Sequence, residues 1–346
     1  MPGCSVIIPV HNRAALTQRC LTAVLAHPAT GVETTIVVVD DASDDATARI
    51  LAAYGDRLCV VTQPTIGGFA TACNDGAATV ADDYLVFLHN DALPQPGWLD
   101  ALVDYAEAHP EAAVVGSKLL TSDGVIQHAG IAIGQDGQPR YLYAGFPAEH
   151  PAVNKSRPFQ AVTTACALVR RAAFEQVGGF DTAFFSGAAD LDLCLRIAAA
   201  DREIHYCPDS ALHHLGQLDA AFAGGAVGSP AARDAQLLRT RWAHRLQPDD
   251  VRYYVEDGLL TVDYATGYPL RLTVSPQLAV VEGVGREWQA DRLLHARSRQ
   301  VADALRDNAR LTLRLDEQER DIQALARQLA EQLASRTAQQ PEAKRT

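Results

Sequence analysis

The strongest constraint on the fold of this chain is the regular alternation of strand and helix patterns over residues 4–91. Four short β-rich runs, at 4–10, 34–41, 57–64 and 83–91, are separated by segments in which apolar residues recur at helical spacing. The run TTIVVVDD is almost wholly apolar, which is typical of a strand buried on both faces. Strands that alternate with helices of about 10–15 residues favour βαβ units. The sequence therefore predicts an α/β fold, with a Rossmann-like, mostly parallel sheet flanked by helices.

Beyond this region the same patterns continue less regularly. Helical spacing over 98–109 precedes an apolar strand over 112–120, and a further helix and strand fill 188–216. Residues 121–160 are rich in Gly, Pro, His and Tyr, which predicts irregular chain with short strands lying over a site. Long segments of this kind in compact domains are often functional, and we expect this one to close over the ligands.

Changes in composition divide the chain into three parts. Residues 1–217 carry the α/β patterns, and 218–285 combine an Ala/Gly-rich linker with a small accessory segment. That segment predicts a helix over 233–246 and short strands around RYYVEDGLLTVDY and LRLTV. Residues 286–346 form a long predicted helix with an imperfect heptad repeat. A coiled coil, a helix lying on the main domain and a partly disordered tail are the alternatives for this part.

Composition and missing motifs exclude several functional classes. The formal net charge of −12 argues against a nucleic-acid partner, because such binding draws on counterion release at a basic surface. The seven cysteines show no CxxC spacing, which favours a reducing compartment over a disulfide framework. No apolar stretch approaches the roughly 20 residues that span a bilayer, so we expect a cytoplasmic protein. The absence of GxGxxG, Walker A and GxSxG motifs argues against a dehydrogenase, a P-loop kinase and an α/β-hydrolase.

Carboxylates flank the apolar strands and helices at three places: Asp40/Asp41, Asp91 and Asp190/Asp192. In a doubly wound sheet the carboxyl ends of the strands meet at one edge, so Asp40 and Asp91 can face the same ligand. A carboxylate beside a diphosphate is repelled unless it holds a divalent cation, which explains an Asp at a phosphate site. Of Asp190 and Asp192, one can be buried while the other points into the cleft and takes a proton from a sugar hydroxyl.

Each cluster also has a purely structural interpretation. Asp40 and Asp41 can belong to a helix cap, because Ser43 stands where an N-cap would, with Asp44 and Asp45 in the first turn. The other two clusters can be a turn and a capped helix start.

His213 and His214 end the last strand of this region. Adjacent side chains of a strand point to opposite faces, so only one of the two can face a site. A neutral imidazole is a common metal ligand, but a lone histidine is more often an ordinary core or surface group.

Seven segments, in this order and spacing, resemble the inverting glycosyltransferases of family 2, which have the GT-A fold. They cover about residues 4–217 and read SVIIPVHNR, IVVVDDASDD, GGFATACNDGA, FLHNDALPQPGWL, AVTTACALVRRAAFEQVGGFD, AADLDLCLR and YCPDSALHHLG. The piece GVIQHAGIAIG is most similar to bacterial enzymes that build O-antigen, capsule or other surface polysaccharides, including rhamnosyltransferases.

The resemblance implies a role for each matching residue. Residues that it places at the donor nucleotide are Pro9, His11, Asn12, Arg13, Asp40, Asp41, Gly68, Asn74 and Asn90. The DxD-type motif reads HND here and lacks its first carboxylate, so the implied ligands of a Mg2+ or Mn2+ ion are Asp91 and His214, with His89 as a further one. Asp190 matches the general base that activates the acceptor hydroxyl. Residues implied to contact the acceptor or support the site are Asp192, Arg196, Thr163 and Trp98.

The implied reaction moves a sugar from a UDP or dTDP donor to a hydroxyl of a glycan or lipid-linked acceptor. A lipid-linked acceptor would bring this cytoplasmic protein to the inner membrane face, and the C-terminal helix would join a homodimer or a partner glycosyltransferase. Ala189, Thr65 and Thr164 depart from the family pattern and put the acceptor class and the rate in question. The alternatives are a non-catalytic nucleotide-sugar or glycan-binding module that works with a partner enzyme, and a sugar-1-phosphate nucleotidyltransferase.

Overall fold

The computed structural model of the chain describes residues 2–185, 188–216, 229–263 and 271–274. The chain divides into two compact units, residues 1–283 and 284–346. The second unit, and with it the predicted C-terminal helix, lies outside the described residues, as does most of the predicted Ala/Gly-rich linker.

The described part of the chain alternates strands and helices as the sequence predicts for its first half. The strands are β1 (Gly3–Val10), β2 (Glu33–Asp40), β3 (Cys59–Thr62), β4 (Tyr84–Leu88), β5 (Ala92–Pro94), β6 (Ala112–Leu120), β7 (Ile126–His128), β8 (Ile131–Ile133), β9 (Pro139–Tyr141), β10 (Arg157–Phe159), β11 (Cys166–Arg170), β12 (Glu203–His214), β13 (Leu260–Asp263) and β14 (Arg271–Val274). The α-helices are α1 (Ala14–Ala26), α2 (Thr47–Ala52), α3 (Phe69–Ala78), α4 (Trp98–Ala108), α5 (Arg171–Gln176), α6 (Ala189–Ala198), α7 (Pro230–Trp242) and α8 (Asp250–Glu256). β7 to β10 confirm the short strands expected within residues 121–160, whereas the closure of this segment over ligands stays a prediction.

One mixed sheet of ten strands organises the described residues, in the order β10–β12–β6–β11–β4–β1–β2–β3, with β5 and β7 attached to β12 and β6. Strands β1 to β4 form a parallel half, in which β1 pairs with β2 and β4, and β2 with β3. β11 runs antiparallel between β4 and β6, and β12 is parallel to β6. Strands β1, β2, β3, β4, β6 and β12 therefore share one direction, which confirms the Rossmann-like half and adds a mixed half beside it.

Apolar layers cover both faces of this sheet, because successive residues of a strand point to opposite sides. On β1, Ile7 belongs to one layer, and Val6 and Ile8 belong to the other. Helices α3, α5, α6 and α7 contribute to the first layer, whereas α1 and α4 contribute to the second. The buried residues of α1 recur at helical spacing: Ala14, Thr17, Cys20, Leu21 and Val24.

The predicted start of the helix after Asp41 is wrong. The helix α2 begins at Thr47, and Ser43 is not its N-cap. The carboxylate of Asp45 accepts hydrogen bonds from the backbone N–H of Thr47 and of Ala14. The hydroxyl of Ser43 instead accepts a hydrogen bond from the backbone of the loop after β1. Asp45, two positions after Ser43, therefore bonds to the first residue of the helix, a contact that the pattern predicted for Ser43.

The strand predicted around RYYVE is also wrong, because these residues form α8. The reason lies at the start of the helix. The carboxylate of buried Asp249 accepts a hydrogen bond from the N–H of Ile133, and the N–H of Asp249 donates to the carbonyl of Ile133. These two bonds hold residue 249 beside β8 at the start of the helix. Tyr253 of α8 then packs on Phe159, with their ring centroids 4.7 Å apart. The strands predicted after it, in GLLTVDY and LRLTV, are confirmed as β13 and β14.

Residues 230–259 pack against the same core as the α/β region. Trp242 of α7 is buried in the first apolar layer. The carboxylate of Asp257, just after α8, is buried and pairs with Arg157 and Lys155. The division at residue 217 stays a prediction. None of the helices within the described ranges combines the length and the apolar character that crossing a bilayer requires.

Candidate active site

The carboxyl ends of β1, β2, β4 and β12 lie on one edge of the sheet, since these strands share a direction. β1 leads into residues 11–13, β2 ends at Asp40, β4 leads into residues 89–91, and β12 ends at His214. β11 runs the opposite way, so the segment before it, residues 163–165, meets the same edge. This is the edge at which α/β sheets bind ligands.

His89, Asp91 and His214 form a compact group at this edge, which we call the metal triad. Nε2 of His214 lies 3.1 Å from Oδ1 of Asp91 and 3.4 Å from Nδ1 of His89. Asp91 and His214 are buried, and apart from His214 no group of the described residues lies at hydrogen-bond distance from Oδ1 of Asp91. Acceptor atoms that face one another in this way are unfavourable unless a proton or a cation lies among them. Imidazole and carboxylate groups bind divalent cations, so the triad fits the predicted metal ion.

The electrostatics of the metal triad favour protonation states that bind metal ions. Burial, and then the neighbouring His214, lower the pKa of His89 to about 4, so its imidazole is neutral at pH 7. Burial raises the pKa of Asp91, but His214, His89 and Arg13 outweigh burial and bring that pKa to about 2. Neutral imidazole and ionised carboxylate are the forms in which these residues ligate a metal.

Gly216 lets the chain pass close to the metal triad. A Cβ atom at this position would lie 2.6 Å from Oδ2 of Asp91 and 3.0 Å from Cε1 of His214. The N–H of Leu215 donates to the carbonyl of Asp91, which holds the chain in this close approach. A side chain at residue 216 would therefore displace two of the three metal ligands.

The loop after β1 brings a positive charge to the metal triad. Asn12 and Arg13 both have positive φ, 58° and 60°, a conformation that costs energy and is common at functional sites. The side-chain oxygen of Asn12 accepts two backbone N–H groups from the loop after β2, and the ring of His11 hydrogen-bonds to a carbonyl there. The guanidinium of Arg13 is 64% exposed and lies 3.5 Å from Oδ2 of Asp91. Pro9 lies within β1, two positions before His11.

Asp40 and Asp41 are buried, and backbone amides engage both carboxylates. Asp40 accepts a hydrogen bond from the N–H of Ser43. Asp41 accepts from the N–H of Gly67 at 2.6 Å and of Gly68 at 2.9 Å. Gly68 precedes α3 with φ +82°, which favours glycine. These carboxylates thus shape the two loops beside the triad and do not belong to the helix cap of their structural interpretation.

Asp190 lies in the first turn of α6, close to the segment before β11. Its carboxylate accepts a hydrogen bond from the N–H of Leu191 at 2.8 Å, and the hydroxyl of Thr163 and the N–H of Thr164 also bond to it. Burial raises the pKa of Asp190, and these hydrogen bonds only partly offset burial. A carboxylate with a raised pKa is a stronger base than an ordinary aspartate, which suits it to accept a proton.

Residues 163–165 connect Asp190 to the metal triad. Thr163 contacts Asp190, and two positions further the carbonyl of Ala165 accepts a hydrogen bond from the N–H of His89. The N–H of Thr163 donates to Nε2 of His128, a fully buried residue of β7. The structure therefore brings the predicted base and the predicted metal ligands to one short stretch of chain.

Asp192 is fully buried and has a structural partner on every side. It accepts hydrogen bonds from Nε of Arg196 at 2.7 Å, from Arg241 at 2.7 Å and from the indole of Trp242 at 2.9 Å. Arg196 also donates to two carbonyls of the loop after α5. Of the two roles predicted for Asp192 and Arg196, these contacts support the one of holding the site, because they fix α6 and thereby Asp190.

Three further predicted residues have partners in the protein. The amide of Asn74 exchanges two hydrogen bonds with the backbone of Phe180. Trp98 is 1% exposed within the core, and its indole donates to a carbonyl just after α1. Asn90 donates to a threonine hydroxyl of α1 and so anchors the HND loop. Asn74 and Trp98 thus have structural contacts within the protein, and their predicted contacts with nucleotide and acceptor stay predictions.

Sequence reasoning missed several residues that the structure places around the site. Gln127 contacts His214, and His128 contacts Thr163, although they are neighbours in β7. No periodicity marks Gln127 or Gly216, because their partners are close only in the folded chain. Gln127 and His128 lie in the segment GVIQHAGIAIG, whose resemblance to family members is the sequence signal that points to them.

A second His/Glu group within the described residues lies at the opposite edge of the sheet, where β6 and β12 begin. It consists of His109, Glu111 and His205. Both ring nitrogens of His205 have protein partners, Glu203 at 2.7 Å and Tyr105 at 2.9 Å. We assign no function to this group, because its buried member, His205, already has protein partners on both nitrogens.

Comparison with known families shows to which family this chain belongs. The model described as glycosyl transferase family 2 matches residues 5–178, about half of the chain. The chain belongs to glycosyl transferase family 2. The match includes His89, Asp91 and Thr163, and it ends before Asp190 and His214.

Relatives of this family 2 chain include two with assigned names. The O-antigen biosynthesis protein RfbC of Myxococcus xanthus is 32% identical over 205 residues, which is 57% of this chain and 16% of that protein. The N-acetylglucosaminyl-diphospho-decaprenol L-rhamnosyltransferase of Mycobacterium tuberculosis is 27% identical over 202 residues, 52% of this chain and 66% of that protein. The chain thus spans only a small part of the first of these relatives.

Solved structures show that the family 2 chain has the GT-A fold. GalNAc-T7 with UDP, GalNAc and Mn2+ superposes with a TM-score of 0.57 at 15% identity, over 77% of this chain and 53% of that one. S. aureus TarS 1-349 in complex with UDP-GlcNAc gives a TM-score of 0.52 at 18% identity, over 72% and 69%. At such identities the likeness establishes the fold and nothing more.

Proposed function

We propose that this family 2 chain transfers a sugar, with inversion, from a UDP or dTDP donor to a hydroxyl of a glycan or lipid-linked acceptor. The observation that carries the proposal is the connection of Asp190 to the metal triad through residues 163–165. A base and a cation site side by side are what a single displacement at a sugar diphosphate needs. The names of the two relatives, O-antigen biosynthesis and rhamnosyltransferase, support a role in surface-polysaccharide synthesis.

The metal triad would hold a Mg2+ or Mn2+ ion through Asp91, His214 and His89. When bound, the ion supplies the positive charge that neutralises the leaving nucleoside diphosphate. Arg13 is exposed beside Asp91 and would bind an oxygen of the same diphosphate. The loops shaped by Asp40 and Asp41 would then receive the base and the ribose.

Asp190 would take the proton of the acceptor hydroxyl as that hydroxyl attacks the sugar from the face opposite the diphosphate. Thr163 and Thr164 orient its carboxylate, and Asp192 holds the helix that carries it. Residues 121–160 would cover donor and acceptor and exclude water. We further propose that the protein works in the cytoplasm, at the inner membrane face when its acceptor is lipid-linked, and that residues 286–346 join a second copy or a partner glycosyltransferase.

Replacing Asp190 with Asn tests this function. A panel of UDP- and dTDP-sugars is incubated with lipid-linked and free glycan acceptors, and release of the nucleoside diphosphate is measured. We expect donor binding to persist and transfer to fall about 10²–10⁴-fold, the usual contribution of a general base. Asp201→Asn makes the same change at an exposed position beyond α6 and should leave transfer intact. Undiminished transfer by Asp190→Asn would remove Asp190 from its role.

A further inference from the structure

We infer that Gln127 is a positioning residue of the metal triad, which holds His214 in the one tautomer that offers Nε2 to a metal ion. The inference rests on the proposed metal-dependent donor site and assigns to Gln127 a role that neither motif nor resemblance gives it. Gln127 is half-buried in β7, and it touches the chain on both sides of Leu215.

The two ends of the Gln127 amide have different partners, which fixes the amide orientation. Nε2 of Gln127 donates to the carbonyl of Gly216 at 2.7 Å. A carbonyl can only accept, so the nitrogen of the amide must be on that side. Oε1 is then the atom that lies 3.0 Å from Nδ1 of His214.

The amide orientation in turn fixes the tautomer of His214. Oε1 of Gln127 can only accept, so Nδ1 of His214 carries the hydrogen and donates it. In a neutral imidazole, Nε2 then has a free lone pair, and this atom points at Oδ1 of Asp91 and Nδ1 of His89. Metal-ligating histidines are generally oriented in this way, by a partner on the nitrogen that does not bind the ion.

Without Gln127 the other tautomer would be favoured. His214 would carry its hydrogen on Nε2 and donate it to Oδ1 of Asp91, 3.1 Å away, which has no other donor within the described part of the chain. That bond would occupy two of the three ligands, and a metal ion would have to displace the proton. Gln127 therefore keeps the triad open for a cation.

The neighbouring residue of β7 provides a matched control. His128 points to the other side of the strand, where Nδ1 contacts the carbonyl of Ser117 and Nε2 accepts the N–H of Thr163. A change that merely loosens β7 would act through either residue, whereas a change of tautomer acts through Gln127 alone. Gln135, whose amide donates to Asp250 at the surface, is a second control.

The test is a titration of the whole chain with Mn2+ alone, in which calorimetry measures the binding. We expect Gln127→Leu to bind Mn2+ about 10–100-fold more weakly than the wild type, the usual effect of removing such a partner. Gln127→Glu keeps an acceptor for Nδ1 and should retain most of the affinity. His128→Gln and Gln135→Ala should bind as the wild type does. Nitrogen NMR of the metal-free proteins should show His214 protonated at Nδ1 in the wild type and at Nε2 in Gln127→Leu.

Three results would contradict the account, at different levels. If the wild type binds no Mn2+, the proposed metal site is wrong, and the role of Gln127 falls with it. If the wild type binds Mn2+ and Gln127→Leu binds it equally tightly, the metal site stands and the inference about Gln127 is overturned. Equal weakening in Gln127→Leu and His128→Gln would also overturn it, since it would point to general disruption of β7.

Discussion

Replacing Asp192 with Asn tests how the helix that carries Asp190 is held. The buried carboxylate accepts hydrogen bonds from Arg196, Arg241 and Trp242, at 2.7, 2.7 and 2.9 Å. Asn keeps one acceptor oxygen, but it turns the other atom into a donor that faces an arginine. Removing one partner of a buried ion pair costs about 3–5 kcal/mol. Since Arg196 and Arg241 are 20% and 33% exposed, solvent screens part of the loss, and we expect about 3 kcal/mol.

Urea unfolding followed by circular dichroism measures this loss as a shift of the midpoint. Asp100→Asn is the matched control, because Asp100 is partly exposed and its hydrogen-bond donors among the described residues are neutral, the N–H and hydroxyl of Thr30 and the N–H of Gly31. That control should cost about 1 kcal/mol. A loss below 1 kcal/mol for Asp192→Asn would refute the reasoning, because it would mean that the two arginines find equal stabilisation in water.

Four further predictions concern the site and the helix that carries Asp190. As pH falls, the transfer rate should drop at a higher pH than an ordinary aspartate would give, because burial raises the pKa of Asp190 and its carboxylate is protonated sooner. A pH–rate profile with the acid limb of an ordinary aspartate would contradict this. Because the pKa of Asp190 is raised in the folded protein, the wild type loses folding stability as pH rises through that pKa. Thermal unfolding should therefore find Asp190→Asn more stable than the wild type at pH 8 and equally stable at pH 3. Gly216→Ala should weaken Mn2+ binding in calorimetry, because its methyl group would displace Asp91 and His214; wild-type affinity would show that the close approach is not needed. Ala188→Gly should raise the free energy of unfolding by about 1 kcal/mol, because Ala188 has φ 60°, a strained conformation that glycine adopts without cost. A free energy of unfolding at or below that of the wild type would contradict this.

The sequence predicts the sheet well where one strong pattern acts alone. In the run TTIVVVDD, Val37, Val38 and Val39 of β2 are buried on both faces, and the helix α1 before it follows from the spacing of apolar residues. The errors occur where two local signals compete. Asp45, not Ser43, bonds the first turn of α2, and the aromatic residues of RYYVE fold as α8 because Asp249 is tied to β8. Such choices depend on contacts between segments that are distant in sequence.

The candidate site shows the same division. The family resemblance implies the members of the metal triad, and an α/β sheet explains why groups at its strand ends meet at one edge. The partners of those groups do not follow from it. Gln127 and Gly216 touch across 89 positions of the chain, and Arg241 reaches Asp192 across 49. No pattern within either segment encodes these contacts, so only the folded chain reveals them.

Binding of UDP and dTDP with and without Mn2+, in the wild type and in Asp91→Asn, tests the central claim most directly. The account predicts that Mn2+ tightens binding of at least one of the two diphosphates to the wild type, and that Asp91→Asn abolishes this gain while folding normally. If neither diphosphate binds the wild type more tightly with Mn2+, or if Asp91→Asn shows the same gain, the metal triad is not the donor site.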